Sequence, residues 1–154
     1  MAKTLVFGHK NPDTDTIASA IAASYLLNET GNDTEAVAQG TPNAETQFAL
    51  DYFATAAPRV VSSADTYTVV LVDHNEAAQS VDNLADVTVT GIYDHHKFAF
   101  TNSTPLYITA KPCGSVATIL YYEFKQADVE IPSKIAGLMA SAIISDTLLL
   151  KSPT

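Results

Sequence analysis

The chain alternates short apolar runs with longer segments of helical periodicity. Extended, β-prone runs fall at residues 4–8, 35–38, 60–61, 67–72, 87–93 and 106–109. The run at 67–72 is nearly continuous in β-branched and aliphatic residues, which is typical of a strand covered on both faces. These runs therefore predict a sheet whose strands are mostly parallel.

Helical patterns follow most of these runs. Helices are predicted from Thr16 to a stop at Gly31, over 45–53, over 115–124 and after Pro132, which is expected in the first turn. The last helix has one apolar stripe, formed by Ile135, Leu138, Met139, Ala142 and Ile143. Alternating strands and helices predict one α/β domain over residues 1–154, with a mostly parallel open sheet and helices on both faces.

Composition narrows the function classes. The 154 residues are 47% hydrophobic and 16% charged, which suits a folded domain and not a disordered chain. The net charge is −9 and Arg59 is the only arginine, so the basic surface expected of a nucleic-acid-binding protein is missing. We expect no nucleic-acid partner.

The N-terminus and the cysteine content indicate a compartment. The single cysteine, Cys113, has no partner for an intrachain disulfide, and the N-terminus lacks the pattern of a secretory signal. No uninterrupted apolar window reaches the ~18 residues of a membrane helix. We expect a soluble cytoplasmic protein with no membrane partner.

Histidine and aspartate collect directly after predicted strands. The residues are His9, Asp13, Asp15, Asp73, His74, Asp94, His95 and His96. One such cluster is as well explained by a helix cap or a loop hydrogen bond as by metal ligation. Three clusters at the carboxyl ends of parallel strands meet at one rim, and together they predict a metal site.

The first cluster suggests two metal ions. Pro12 keeps the preceding residue extended, and alternation in an extended segment would aim Asp13 and Asp15 in opposite directions. One ion could then take His9 and Asp13 and the other Asp15, with a carboxylate such as Asp73 bridging them at ~3.5–4 Å, as in two-metal phosphoryl-transfer enzymes. Oxygen with imidazole ligands favours Mn²⁺ or Co²⁺ over Mg²⁺.

Four segments together carry a family resemblance. Residues 8–16 (GHKNPDTDT), 72–76 (VDHNE), 94–96 (DHH) and 145–147 (SDT) closely resemble the motifs of family II inorganic pyrophosphatases, in the DHH phosphoesterase superfamily. The resemblance covers essentially the whole chain, in order. It implies a DHH-type domain that hydrolyses pyrophosphate to two phosphates by a two-metal mechanism.

The resemblance also implies roles for individual residues. His9 and Asp13 would hold one Mn²⁺, Asp15 and His95 the other, Asp73 and Asp146 would be shared between the ions or complete their coordination, and His96 would face the phosphate. His96, Asp73 and Asp13 are the catalytic candidates, and Co²⁺ or Mg²⁺ are candidate substitutes for manganese. Asp146 is found through the resemblance alone, because an aspartate at the end of an apolar helix is more often solvated or a cap.

Residues next to the predicted ligands are expected to have supporting roles or none. His74 and Asn75 are expected to order their loop and hold Asp73. Asp94 is expected to orient the adjacent imidazole. Cys113 is interpreted as a small buried residue at a helix start and receives no role.

The resemblance has one departure. Family members continue into a second domain whose basic residues clamp pyrophosphate, whereas this sequence stops at Thr154. The expectation is an N-terminal DHH domain that forms homodimers and has severely reduced turnover on its own. The alternatives are a nanoRNase-like or RecJ-like phosphodiesterase, which Thr16, the VDHNE segment and the scarcity of arginine disfavour, and a non-catalytic, metal-binding, dimerising fragment.

Overall fold

Six parallel strands form one open sheet in the computed structural model, which describes residues 3–153. They are β1 (Thr4–Phe7), β2 (Thr34–Ala38), β3 (Arg59–Val60), β4 (Thr68–Val72), β5 (Thr88–Asp94) and β6 (Tyr107–Ala110). Their order is β3-β2-β1-β4-β5-β6, and every neighbouring pair is parallel. The predicted α/β class and parallel sheet are confirmed.

Four α-helices accompany the strands within the described residues, two between the first three strands and two after β6. They are α1 (Thr14–Glu29), α2 (Ala44–Tyr52), α3 (Val116–Gln126) and α4 (Ser133–Asp146). Pro132 is the N-cap of α4, one position before the first turn in which it was expected. None of these helices is long and apolar enough to cross a membrane.

Helix α1 begins two residues earlier than its apolar periodicity predicts. The Asp13 side chain caps it by accepting a hydrogen bond from the Thr16 amide at 2.9 Å. Asp15 therefore lies inside the helix, and the extended segment that was expected to aim Asp13 and Asp15 apart does not exist there. The two carboxylates still serve different groups of side chains, Asp13 with His9 and Asp73 and Asp15 with His95 and Asp146.

The two faces of the sheet are covered differently. All four α-helices contribute to one buried apolar cluster, with residues such as Ile17, Leu50, Leu120 and Leu138. The cluster on the other face contains Phe7, Leu71 and Ile92 from the strands and is closed by loops and by Leu84 of a short 3-10 helix. The expectation of helices on both faces therefore needs correction, since the described α-helices pack on one face only.

The strand order places a crevice at the centre of the sheet. The chain moves outward from β1 through β2 to β3, then returns to add β4, β5 and β6 on the other side of β1. Ligands of open α/β sheets bind at such a reversal point, beyond the carboxyl ends of the strands. The motifs that follow β1, β4 and β5 all end in this crevice.

Candidate metal centre

The crevice gathers every predicted ligand. Three groups of side chains have ligand atoms within 4.8 Å of one another: His9, Asp13 and Asp73; Asp15, His95 and Asp146; and Asp73, His95 and His96. We call the first the outer cluster and the second the inner cluster. Asp73 belongs to the outer cluster and to the third group, and its Oδ1 lies 3.0 Å from His95 Nε2 of the inner cluster, so one carboxylate stands between the two clusters.

The outer cluster is built on the loop after β1. His9 Nε2 lies 3.5 Å from Asp13 Oδ2 and 3.3 Å from Asp73 Oδ2. Its Nδ1 is 2.7 Å from the carbonyl oxygen of Lys10, which can only accept, so Nδ1 carries the proton and donates. Nε2 is thereby presented to the carboxylates, as in metal-binding histidines whose other nitrogen donates to a carbonyl.

The inner cluster repeats this arrangement after β5. His95 Nε2 lies 3.0 Å from Asp73 Oδ1 and 3.9 Å from carboxylate oxygens of both Asp15 and Asp146. Its Nδ1 donates to the carbonyl oxygen of Cys113 at 2.7 Å. The backbone of Cys113 thus orients a predicted ligand, a role that the sequence interpretation did not assign to this residue.

Asp15 is held by a helix that lies about a hundred residues away. Its Oδ1 accepts from Ser115 Oγ at 2.8 Å, Ser19 Oγ at 3.0 Å and the Ala117 amide at 3.2 Å, and its Oδ2 accepts from the Val116 amide at 2.8 Å. These amides open α3, where unpaired N–H groups and the helix dipole favour an anion. Sequence reasoning missed this contact, although a serine at a helix start is a recognisable capping signal.

Asp73 is the buried centre of the site. Its side chain is 1% exposed, and its Oδ2 accepts from Thr16 Oγ1 at 2.7 Å. Its backbone has a φ of 58°, in the left-handed region that non-glycine residues enter at a cost and mainly at functional sites. Gly8 allows α1 to approach, because a Cβ there would lie 2.3 Å from the Thr16 side chain.

The charges of the site perturb its pKa values. Burial opposes protonation of His9, but hydrogen bonds with Asp13 and Asp73 raise its pKa to about 11. The pKa of His95 is raised to about 9, since its hydrogen bond with Asp73 outweighs burial. Burial would raise the pKa of Asp73, but hydrogen bonds from both histidines and Thr16 bring it below its ordinary range.

The remaining carboxyl groups repel one another. Burial and the charge of Asp15 raise the pKa of Asp146 to about 8, and burial with the charge of Asp73 raises that of Asp15. Buried carboxylates with this mutual repulsion, next to imidazole nitrogens whose tautomer is already fixed, form a donor set that fits divalent cations. The raised pKa values of His9, His95 and Asp146 mean that a bound cation would compete with protons for these groups.

His96 lies at the open rim of the same site. Its Nδ1 is 2.9 Å from Asp94 Oδ1 and 3.6 Å from Asp73 Oδ1, and its side chain is 51% exposed. The hydrogen bond with Asp94 raises the pKa of the imidazole. His96 is therefore the accessible histidine of the site, where the resemblance expects a residue that faces the phosphate.

His74 and Asn75 contact other groups than the expected Asp73. His74 is buried, donates from Nδ1 to the Val72 carbonyl at 2.9 Å and has Nε2 3.1 Å from Ser80 Oγ. Asn75 instead binds the segment that follows β5. The two residues order their surroundings as predicted, but not through hydrogen bonds to Asp73.

The fold and the site together define an α/β domain with a candidate metal centre at the carboxyl ends of its parallel strands. The profile described as "DHH family, N-terminal domain" matches residues 3–143, and the chain belongs to this family.

Curated relatives share this sequence at high identity. A protein of Lactiplantibacillus plantarum is 59% identical and one of Enterococcus faecalis 57% identical, and both are named probable manganese-dependent inorganic pyrophosphatase. Each alignment covers 100% of this chain and 51% of the relative. The chain thus spans about half the length of the curated relatives that it matches.

Solved structures with a similar fold include a relative with the same length relationship to this chain. A Methanococcus jannaschii protein assigned to the family II inorganic pyrophosphatases is 43% identical, with a TM-score of 0.88 over 96% of this chain and 50% of that chain. An exopolyphosphatase-related protein from Bacteroides fragilis has a TM-score of 0.75 at 13% identity, which supports the fold alone.

Proposed function

We propose that the chain is the metal-binding half of a manganese-dependent inorganic pyrophosphatase, which hydrolyses pyrophosphate to two phosphates. The observation that carries the proposal is the pair of imidazole and carboxylate clusters on either side of Asp73, whose carboxylate oxygens contact His9 of the outer cluster and His95 of the inner cluster. The identity of 57–59% to proteins named as manganese-dependent inorganic pyrophosphatases supports the substrate and the metal.

Each cluster would hold one ion. His9, Asp13 and Asp73 supply ligands for the first, and Asp15, His95, Asp146 and Asp73 for the second. Two bound Mn²⁺ ions would polarise phosphate oxygens and lower the pKa of water, and Co²⁺ or Mg²⁺ are the proposed substitutes. This chain's own residues orient the ligands through hydrogen bonds of the two histidines with carbonyl groups, bury Asp73 and leave the His96 side chain at the open rim.

His96 is the proposed proton carrier. Its Nδ1 is engaged by Asp94, so Nε2 is the nitrogen available to a phosphate oxygen of the leaving group. The hydrogen bond with Asp94 raises the pKa of His96, which favours the protonated ring that a proton donor requires. The structure assigns no other half-exposed histidine to the rim among the described residues.

We propose that turnover by this 154-residue chain alone is severely reduced. The two lysines next to the motifs are already paired with acids, Lys10 with Asp82 at 2.9 Å and Lys97 with Glu76 at 3.2 Å. Removing one preorganised electrostatic donor costs roughly 10²–10³ in rate, and pyrophosphate needs several. The alignment covers 51% of the length of the relative. The remaining half of such a protein would supply the cationic groups.

The test compares two substrates with the Mn²⁺-loaded chain. Phosphate release from pyrophosphate is expected to be slow, dependent on Mn²⁺ and abolished in Asp73→Ala. Faster cleavage of a short oligonucleotide would overturn the proposal in favour of a DHH phosphodiesterase. Tight Mn²⁺ binding without turnover of either substrate would instead support a non-catalytic metal-binding role.

We also propose a homodimer formed along β6. This edge strand pairs with β5 on one side only, and Tyr107 and Ile108 are 49% and 44% exposed on it. An open edge with exposed apolar side chains favours pairing with a second copy. Light scattering should report a dimer at micromolar concentration with Mn²⁺ and a monomer for Ile108→Lys; a monomeric parent chain would contradict the proposal.

A cytoplasmic location without nucleic-acid or membrane partners completes the proposal. The net charge of −9 opposes binding to phosphate backbones and to anionic lipid surfaces. Neither short RNA nor anionic vesicles should be retained by the chain at physiological salt. Retention of either would contradict this part of the proposal.

A further inference from the structure

Asn75 makes three side-chain hydrogen bonds, and all three go to one segment of the chain. It is 2% exposed, and its Nδ2 donates to Asp94 Oδ2 at 2.6 Å and to the Lys97 carbonyl at 2.9 Å. Its Oδ1 accepts from the Ala99 amide at 2.7 Å. The asparagine therefore fastens the segment 94–99, which carries both histidines of the DHH motif.

Asp94 passes this restraint to His96. The carboxylate is buried, and its Oδ1 accepts from His96 Nδ1 at 2.9 Å and from the amides of His95 and His96 at 2.8 and 3.2 Å. One oxygen thus faces Asn75 and the other faces the imidazole. With Nδ1 donating to Asp94, the orientation of the ring and the position of Nε2 are set by where Asp94 is held.

The neighbouring histidine has an independent restraint. His95 Nδ1 donates to the Cys113 carbonyl, on the loop before α3. Among residues 3–153, Asp94 is the one hydrogen-bond partner of the His96 ring, and half of the His96 side chain is open to solvent. Loss of the Asn75 contacts should therefore affect His96 more than His95.

We propose that Asn75 is a positioning residue that acts through Asp94 to hold His96 Nε2 toward the substrate. The proposal rests on the proposed function for the role of His96 in turnover, but not for the geometry. Three consecutive residues then have three roles. Asp73 contacts both His9 and His95, His74 is buried and hydrogen-bonded to Val72 and Ser80, and Asn75 restrains the loop after β5. A hydrophobic residue in place of Asn75 would leave Asp94 Oδ2 and the Ala99 amide without partners.

Asn83 provides a matched control. Its Oδ1 accepts from the Ala64 amide at 2.8 Å and its Nδ2 donates to the Ala64 carbonyl at 2.9 Å, so it fastens a loop in the same manner. It lies on the loop-covered face of the sheet, away from the ligands. Asn83→Ala should lower stability without changing the histidines.

The experiment reads the histidine rings by ¹⁵N NMR at a pH above which the His96 resonances no longer change. In the parent chain His96 should show a proton on Nδ1, and in Asn75→Ala and Asn75→Asp it should shift toward the tautomer with the proton on Nε2. His74 and His95, whose Nδ1 atoms donate to carbonyl groups, are internal references and should not change. Asn75→Asp keeps the acceptor for Ala99 and replaces the donor to Asp94 Oδ2 with a carboxylate oxygen, so it disturbs the Asp94 contact without removing the side chain.

Metal binding and turnover separate this inference from the proposed function. Mn²⁺ affinity should change by less than about threefold, because no metal ligand is lost, whereas kcat for pyrophosphate should fall about 10–100-fold with a smaller change in KM. An unchanged His96 ring in folded Asn75 variants would overturn the inference, as would equal shifts in all the histidine rings. A shifted His96 ring with unchanged kcat would keep the geometry and contradict the role of His96 in turnover.

Discussion

The outer and inner clusters differ in how the chain assembles them. The outer cluster comes from the β1–α1 loop and the end of β4, two neighbouring strands, and its Asp13 side chain is 44% exposed. The inner cluster brings together α1, the loop after β5 and the last residue of α4, and its Asp15 and Asp146 side chains are 0% and 18% exposed. The outer cluster therefore comes from two neighbouring strand ends and is partly exposed to solvent. The inner cluster combines segments that are far apart in sequence and is largely buried.

Burial explains why the inner cluster needs more support. A carboxylate removed from water must be hydrogen-bonded or neutralised, and Asp15 meets this requirement with donors from Ser19 and from the start of α3. Burial and the charge of Asp15 raise the pKa of Asp146 to about 8, so this carboxyl group favours its protonated form at neutral pH. The comparison indicates that the inner cluster gains most from a cation.

The largest expected effect comes from the residue that both clusters share. Asp73→Ala should weaken Mn²⁺ binding at both clusters by more than about a hundredfold, since each loses an oxygen ligand and the buried histidines lose their charge partner. Isothermal titration calorimetry measures this loss. Asp65→Ala is the control, because Asp65 is an exposed partner of Arg59 and should leave the affinity unchanged. Equal effects of the two substitutions would refute the assignment of Asp73.

The second prediction separates the clusters. Asp15→Asn should weaken one Mn²⁺ site about tenfold more than Asp13→Asn weakens the other, a difference of about 1.4 kcal/mol. Asp13 is partly exposed, so water can replace its oxygen, and asparagine keeps the cap on α1. Titrations of both variants under one buffer condition provide the comparison. A larger loss in Asp13→Asn would reverse the order that burial predicts.

A smaller effect is expected from pH. The pKa values of His9, His95 and Asp146, about 11, 9 and 8, mean that these groups hold protons at pH 7 without metal, and ligation must displace them. Mn²⁺ affinity should therefore rise as the pH increases from 6 to 8, with protons released on binding. Calorimetry in buffers of different ionisation enthalpy measures this release. Proton uptake, or an affinity that falls with rising pH, would contradict the predicted protonation states.

In the metal-free chain the same shifts predict the opposite trend for folding stability. A group whose pKa is raised in the folded state stabilises the fold below its ordinary pKa and loses that contribution as the pH passes its folded value. For Asp146 this loss spans the range from about 4 to about 8. Metal-free protein should accordingly melt at a lower temperature at pH 8 than at pH 6, and added Mn²⁺ should remove the difference; equal melting temperatures without metal would contradict it.

The sequence predicted the local features of this molecule well. The strands and the parallel sheet follow from runs of β-branched residues, and the position of the outer cluster follows from polar residues after β1 and β4. Contacts between distant segments carry no such pattern. Asp146 was found only through the family resemblance. The hydrogen bond from Ser115 Oγ to Asp15 joins residues a hundred positions apart.

The errors also have physical causes. Apolar periodicity starts at Ile17 and so misses the first turn of α1, which is defined by a polar cap at Asp13. A buried parallel strand requires cover on both faces, but the cover need not be α-helical. Here loops with Phe100 and Leu106 and the 3-10 helix with Leu84 supply it on one side. Asn75 looked like a support for Asp73 because it follows it in sequence, whereas its hydrogen bonds cross to the next strand's loop.

The central claim is that two cation sites share Asp73, and anomalous diffraction from crystals grown with Mn²⁺ tests it most directly. The account predicts two manganese peaks per chain, about 3.5–4 Å apart, one on each side of the Asp73 carboxylate, with His9 and His95 each ligating through Nε2. A single peak in the crevice, or two peaks of which neither contacts Asp73, would contradict the claim.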